Sequence, residues 1–114
     1  MKALKAVSAL AALAHEHRLA VYRMLVEAGP DGLPAGEIAV RLKLPPSSLT
    51  FHLQALQRAG LVTRERMSRQ LIYAADFRTM NALVGYLTEN CCARSASFDG
   101  ATTCVPVGKR ATAS

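Results

Sequence analysis

The chain is 114 residues long, room for one ordinary domain, which excludes most multidomain enzyme architectures. Apolar residues make up 51% and charged residues 19%, enough apolar material for a core and too little charge for a chain disordered throughout. Fourteen Lys and Arg against eight Asp and Glu leave a net charge of +6, so a polyanion is the leading partner class. The three cysteines, an odd count that cannot all pair within one chain, point to a reducing compartment and to metal or redox chemistry.

Met1 to Ala14 reads MKALKAVSALAALA, which loosely imitates an export leader. Its apolar residues are mostly Ala, and Leu4, Val7, Ala11 and Ala14 fall at helical spacing, so it is read as the first helix, its Leu and Ala stripe in the core, and the protein as cytoplasmic. No run reaches the ~18 apolar residues of a membrane span. Val21, Met24, Leu25 and Ala28 give a second helix over Arg18 to Ala28, closed by the turn Gly29-Pro30-Asp31-Gly32. Ala35, Ile38, Ala39 and Leu42 repeat the template in a short third helix, stopped by Lys43-Leu44-Pro45-Pro46. Ser47 is the candidate N-cap of a fourth helix that keeps Leu49, Leu53 and Leu56 on one side and ends at Ala59-Gly60.

Two β-type runs follow, Leu61 to Arg66 and Gln70 to Ala74, joined through Met67-Ser68-Arg69 as a hairpin. A fifth helix is expected from Asp76 to about Cys92, with Phe77, Met80, Val84 and Leu87 along a seam. The fold expected is mainly α with a small β-hairpin, a winged helix-turn-helix. Residues 1–92 form the domain and residues 93–114, small and polar, a flexible tail.

On the fourth helix, opposite the three leucines, Ser47, Phe51, Gln54 and Arg58 point outward, Ser48 and Thr50 lie on the flanks, and His52 leans back toward the leucines. The N-terminal half of a recognition helix meets base edges, which favours Ser47, Ser48, Thr50, Phe51 and Gln54 as groove-facing residues and leaves Arg58 to the backbone or solvent. Gln can pair with adenine, Ser and Thr with several bases, and Phe only with a thymine methyl. From Arg41 to Arg78 there are seven basic side chains and two acids. Arg64, Arg66 and Arg69, on or beside the hairpin, are placed to contact phosphates or reach a minor groove of double-stranded DNA.

From about Leu10 to Leu87 the sequence resembles the ArsR/SmtB family of metal-responsive bacterial repressors. The resemblance rests on Leu13-Ala14-His15-Glu16-His17-Arg18-Leu19-Ala20-Val21, on Ser47-Ser48-Leu49-Thr50-Phe51-His52-Leu53-Gln54-Ala55-Leu56, on Ala59-Gly60-Leu61-Val62, and on a wing ending Arg69-Gln70-Leu71-Ile72-Tyr73. It implies a homodimer built on the first and fifth helices, with one recognition helix per half-site of an operator. The Phe77/Met80/Val84/Leu87 seam fits that role, and fits a core stripe equally well. Two departures stand out. Leu33 to Ile38 holds no cysteine where many arsenic-responsive members carry a C-V-C pair, and Phe51 replaces a common His or Arg. The His/Asp ligand sets of zinc-responsive members are not apparent on the fifth helix.

An effector must therefore bind elsewhere, and all three cysteines lie in the last quarter of the chain: Cys91, Cys92 and Cys104. Three thiolates cancel the charge of As(III) or Sb(III), while on Zn(II), Cd(II) or Pb(II) they leave a negative complex, and zinc seeks a fourth ligand. Both vicinal cysteines reach one ion only if the helix ends or distorts near Asn90. The reading is an arsenite-responsive repressor that binds operator DNA as an apo dimer and is released by the metalloid. The alternative is a redox switch through a disulfide to Cys104, or a response to another soft metal. A thiol enzyme is disfavoured, because no C-x-x-C pair, phosphate loop or nucleophile-base arrangement is present. His15 and His17 lack metalloprotease spacing and are read as structural.

Overall fold

A computed structural model describes residues 1–94. The order is α1 (Ala3–Leu13), α2 (Glu16–Ala28), β1 (Leu33–Pro34), α3 (Ala35–Leu42), α4 (Pro46–Arg58), β2 (Val62–Met67), β3 (Gln70–Ala75) and α5 (Phe77–Thr88). The antiparallel sheet runs β1-β3-β2, with Leu33 opposite Tyr73 and Val62 opposite Ala75. The fold is the expected winged helix-turn-helix: α3 and α4 form the helix pair and β2–β3 the wing.

One apolar face from each helix meets at the centre. Val21 and Leu25 of α2, Ile38 of α3, Leu49, Leu53 and Leu56 of α4, and Leu61 just beyond it are fully buried, and Val62, Tyr73 and Ala75 close the layer from the sheet. Each large apolar side chain removed from water contributes about 1.5–3 kcal/mol. Leu83 is the buried residue of α5, one position off the expected seam, where Phe77 and Met80 pack only partly against the core and Leu87 is exposed.

Helix ends follow local chemistry. After α4, Gly60 takes φ +79, and the backbone N–H groups of Gly60 and Leu61 donate to the carbonyls of Gln57 and Leu56. That paired closure turns the chain straight into β2. The third helix ends in the same way with Lys43 in the left-handed position. The fourth helix starts differently from expectation: Pro45 is the N-cap, Pro46 occupies the first helical position and Ser47 lies inside the helix without capping it. Proline presets the helical φ and lacks the N–H that a cap would otherwise satisfy.

Four further differences from expectation appear. On α1 the buried face is Ala6, Ala9 and Ala12, while Leu4 and Val7 are 85% and 60% exposed. Small side chains allow close helix approach, and the longer apolar stripe is left outside. The short strand β1 was not foreseen. It exists because Gly32, at φ +70, brings the chain against the backbone of Tyr73. Finally, α5 stops at Thr88 rather than near Cys92, with Asn90 and Cys92 both at positive φ. The wing turn is tighter than expected, since Met67 pairs with Gln70 and only Ser68 and Arg69 lie between. Among the described residues no helix is long and apolar enough to cross a membrane.

Candidate nucleic-acid interface

The leucine face of α4 is locked into the core, which fixes what the opposite face presents. Ser47, Thr50, Phe51, Gln54 and Arg58 are exposed and Ser48 is half-buried, the arrangement read from helical spacing. His52 is buried, as its lean toward the leucines requires. The Thr50 hydroxyl donates to the Pro46 carbonyl at 2.9 Å, so its oxygen is left chiefly as an acceptor.

On the wing, Arg64 and Arg66 share one face of β2, because side chains alternate along a strand, and Glu65 takes the other. Arg69 stands in the two-residue turn beside Ser68, whose φ of +59 supports the sharp reversal. All three arginines are exposed. Val62, at the start of β2, is buried in the same core cluster as Leu53 and Leu56, which joins the wing's base to the recognition helix. Arg41, counted with the basic residues, pairs with Glu37 one helical turn earlier, so its charge is partly offset. An exposed helix face flanked by exposed arginines on a hairpin suits contact with a nucleic-acid duplex.

The structure adds a group that sequence reading set aside. His15 caps α2, its Nδ1 accepting from the backbone N–H of His17 at 3.1 Å. Arg18 donates from Nε to Nδ1 of His52 at 3.4 Å, and its guanidinium carbon lies 5.6 Å from the centre of the Phe51 ring. Burial, followed by the charges of His15, Arg18 and His17, holds the pKa of His52 below the usual 6.5. The visible hint was His15-x-His17-Arg18 beside an inward-leaning His52. Only folding brings residues 34 positions apart into contact.

The cysteines occupy a separate place. Past the end of α5, Cys91 and Cys92 lie on successive turns in which the backbone N–H of Cys91 donates to Thr88 and that of Ala93 to Asn90. Their Sγ atoms are 3.6 Å apart and both residues are half-buried. The distortion required near Asn90 is present. Cys104, and all but the first two residues of the 93–114 tail, lie outside the described residues. Among the described residues no group of three or more His, Cys, Asp or Glu is arranged to hold a metal ion.

Comparison with known proteins agrees with this geometry. Residues 13–65 match a family described as a helix-turn-helix domain. The transcriptional activator HlyU of Vibrio cholerae is 35% identical over 83 residues, 73% of this chain and 74% of HlyU. A solved HlyU structure superposes with a TM-score of 0.61, covering 76% of this chain and 97% of that one, and a structure of reduced HlyU gives 0.60 over 74% and 88%. An ArsR-like transcriptional regulator from Rhodococcus sp. RHA1 is 30% identical, with a TM-score of 0.66 over 74% of this chain and 76% of its own. Mb0332 of Mycobacterium bovis, described as a homodimeric winged helix-turn-helix DNA-binding domain, shares the fold at 24% identity, with a TM-score of 0.60 over 75% and 80% of the two chains.

Proposed function

The chain belongs to the ArsR/HlyU type of winged-helix transcriptional regulators, and from that premise we propose that it is an arsenite-responsive repressor. Its dimer binds operator DNA through α4 and the wing, and As(III) or Sb(III) captured by Cys91, Cys92 and Cys104 releases it. The observation that carries the effector is the 3.6 Å separation of the Cys91 and Cys92 sulfurs just past α5. Metal–sulfur bonds of about 2.3 Å meeting at tetrahedral or narrower angles hold two sulfurs about 3.4–3.8 Å apart. Cys104 supplies the third thiolate from the tail, and three thiolates leave a trivalent ion neutral.

Self-association is part of the proposal. The exposed stripe Leu4, Val7 and Leu10 on α1, with Leu87 on α5, supports a partner copy against these helices. Cysteines just past α5 then lie where a bound metalloid alters the spacing of the two recognition helices. Linkage makes the coupling mutual: if arsenite weakens DNA binding, DNA weakens arsenite binding by the same factor.

The test is arsenite titration of a protein–duplex complex with Cys91, Cys92 and Cys104 replaced singly by Ser. Each replacement is expected to abolish release, and normal release in all three sinks the assignment. A redox switch is the second reading, favoured by the relative HlyU having been solved in a form named as reduced. It predicts release by a thiol oxidant, reversed by dithiothreitol, with no response to arsenite.

A further inference from the structure

At the start of α2 two imidazoles, His15 and His17, gather against a third, His52 of α4. The rings of His15 and His52 are 4.7 Å apart between centroids, those of His17 and His52 5.7 Å, and those of His15 and His17 5.6 Å. Arg18 reaches from α2 to two consecutive residues of α4. Its Nε donates to the buried His52, and its guanidinium lies within cation–π reach of Phe51, which is 57% exposed on the groove-facing side. One side chain from another helix thus contacts both the ring offered to DNA and the residue that anchors that stretch of helix behind it.

We propose that Arg18 is a positioning residue for DNA recognition, holding Phe51 in its outward orientation through neutral His52, so that protonating the imidazole group weakens DNA binding. The inference rests on α4 being the helix that reads DNA. Arginine only donates, so its bond needs the lone pair on His52 Nδ1, and an imidazolium has none. Among the described residues the charged or titratable groups acting on His52 are His15, Arg18 and His17, each cationic when charged, and none of these offsets a proton placed there.

The sign separates this device from ordinary electrostatics. Added positive charge on a DNA-binding face strengthens binding to a polyanion as pH falls. Loss of a positioning bond does the reverse.

The experiment uses a duplex selected in vitro with the wild-type protein, and measures affinity by fluorescence anisotropy at pH 7.5 and 5.5 at constant ionic strength. Wild type is expected to lose about tenfold between the two, the low end of the effect of losing one hydrogen bond to a charged group. His52→Asn places a non-titrating oxygen near the position of Nδ1, and is expected to keep affinity at pH 7.5 and flatten the profile. At pH 7.5, Arg18→Ala and Phe51→Ala are each expected to weaken binding, and the double variant to lose no more than the worse single. Arg18→Lys reaches His52 but cannot stack its charge flat on the ring, and guards against misfolding of Arg18→Ala, with thermal unfolding as the check. Affinity that holds or rises at pH 5.5, an unchanged profile in His52→Asn, or multiplicative losses for Arg18 and Phe51 overturn the proposal while leaving DNA recognition intact. A wild type that selects no duplex overturns both.

Discussion

The carbonyl oxygen of Tyr73 stands 2.2 Å from the point where a side chain on Gly32 would begin. No real side chain tolerates that approach, and the φ of +70 at Gly32 is itself strained for any other residue. Replacing Gly32 with Ala is therefore expected to cost about 3 kcal/mol and to loosen the pairing of β1 with β3. Gly36, in α3 with open space around it, is the control: Gly36→Ala is expected to gain about 0.5–1 kcal/mol from the lower entropy of the unfolded chain. Urea denaturation of the two variants reads opposite signs.

Asp76 accepts hydrogen bonds from the backbone N–H groups of Arg78 and Thr79 and so caps α5. Asp76→Ala is expected to lose about 1 kcal/mol, seen as a lowered unfolding midpoint. A second readout is spectroscopic. Burial first and the charge of Asp76 second raise the pKa of the Tyr22 phenol above 10, so the variant should ionise Tyr22 at a lower pH in an ultraviolet titration.

Stability should depend on pH through His52. Its pKa in the folded protein lies below the ordinary 6.5, so on acidification the unfolded chain takes up this proton first. The contribution is fully present above about pH 6.5 and is lost as pH falls toward the folded value. The denaturation midpoint should be flat from pH 8 to about 7 and fall below that. His52→Asn should reduce the fall, and an unchanged slope in that variant would falsify the assignment to His52.

The wing arginines and Gln54 should fail in different ways. Loss of Arg64, Arg66 or Arg69 is expected to weaken binding to all duplexes alike and to lower the salt slope by about 0.9 for each phosphate contact removed. Gln54→Ala should leave the salt slope nearly unchanged and relax preference at one base pair, at a cost of about 1–3 kcal/mol on the preferred sequence. Anisotropy titrations across salt concentrations, on selected and randomised duplexes, separate the two.

On α1, Leu4→Glu and Val7→Glu are expected to yield monomers in sedimentation while leaving the folded chain intact, because neither side chain is buried within it. Ala9→Glu, at a position with no exposure, should instead unfold the protein. A dimer that survives both surface changes would remove α1 from the proposed interface.

Much of this was written in local sequence. Periodic apolar residues place α2, α3 and α4, alternating and β-rich runs place the wing, and Gly60 marks the end of α4, because each rests on interactions within a few residues of the chain. The outward set Ser47, Thr50, Phe51 and Gln54 follows from the same periodicity once the leucines point inward.

Other features depend on residues far apart in the chain. Whether Leu or Ala on α1 faces the core is decided by how closely neighbouring helices approach, and the spacing permits both. The strand β1 needs both the Gly32 turn and Tyr73 to pair with Leu33. Length, charge and the odd cysteine count, by themselves, determined a small basic domain with thiols to account for. Tertiary structure decided where those properties act: exposed basic residues flank α4, and Arg18 meets Phe51 and His52, the latter 34 positions away in sequence. Composition carries no distances, and those contacts arise only when the apolar faces of α2 and α4 are buried against each other.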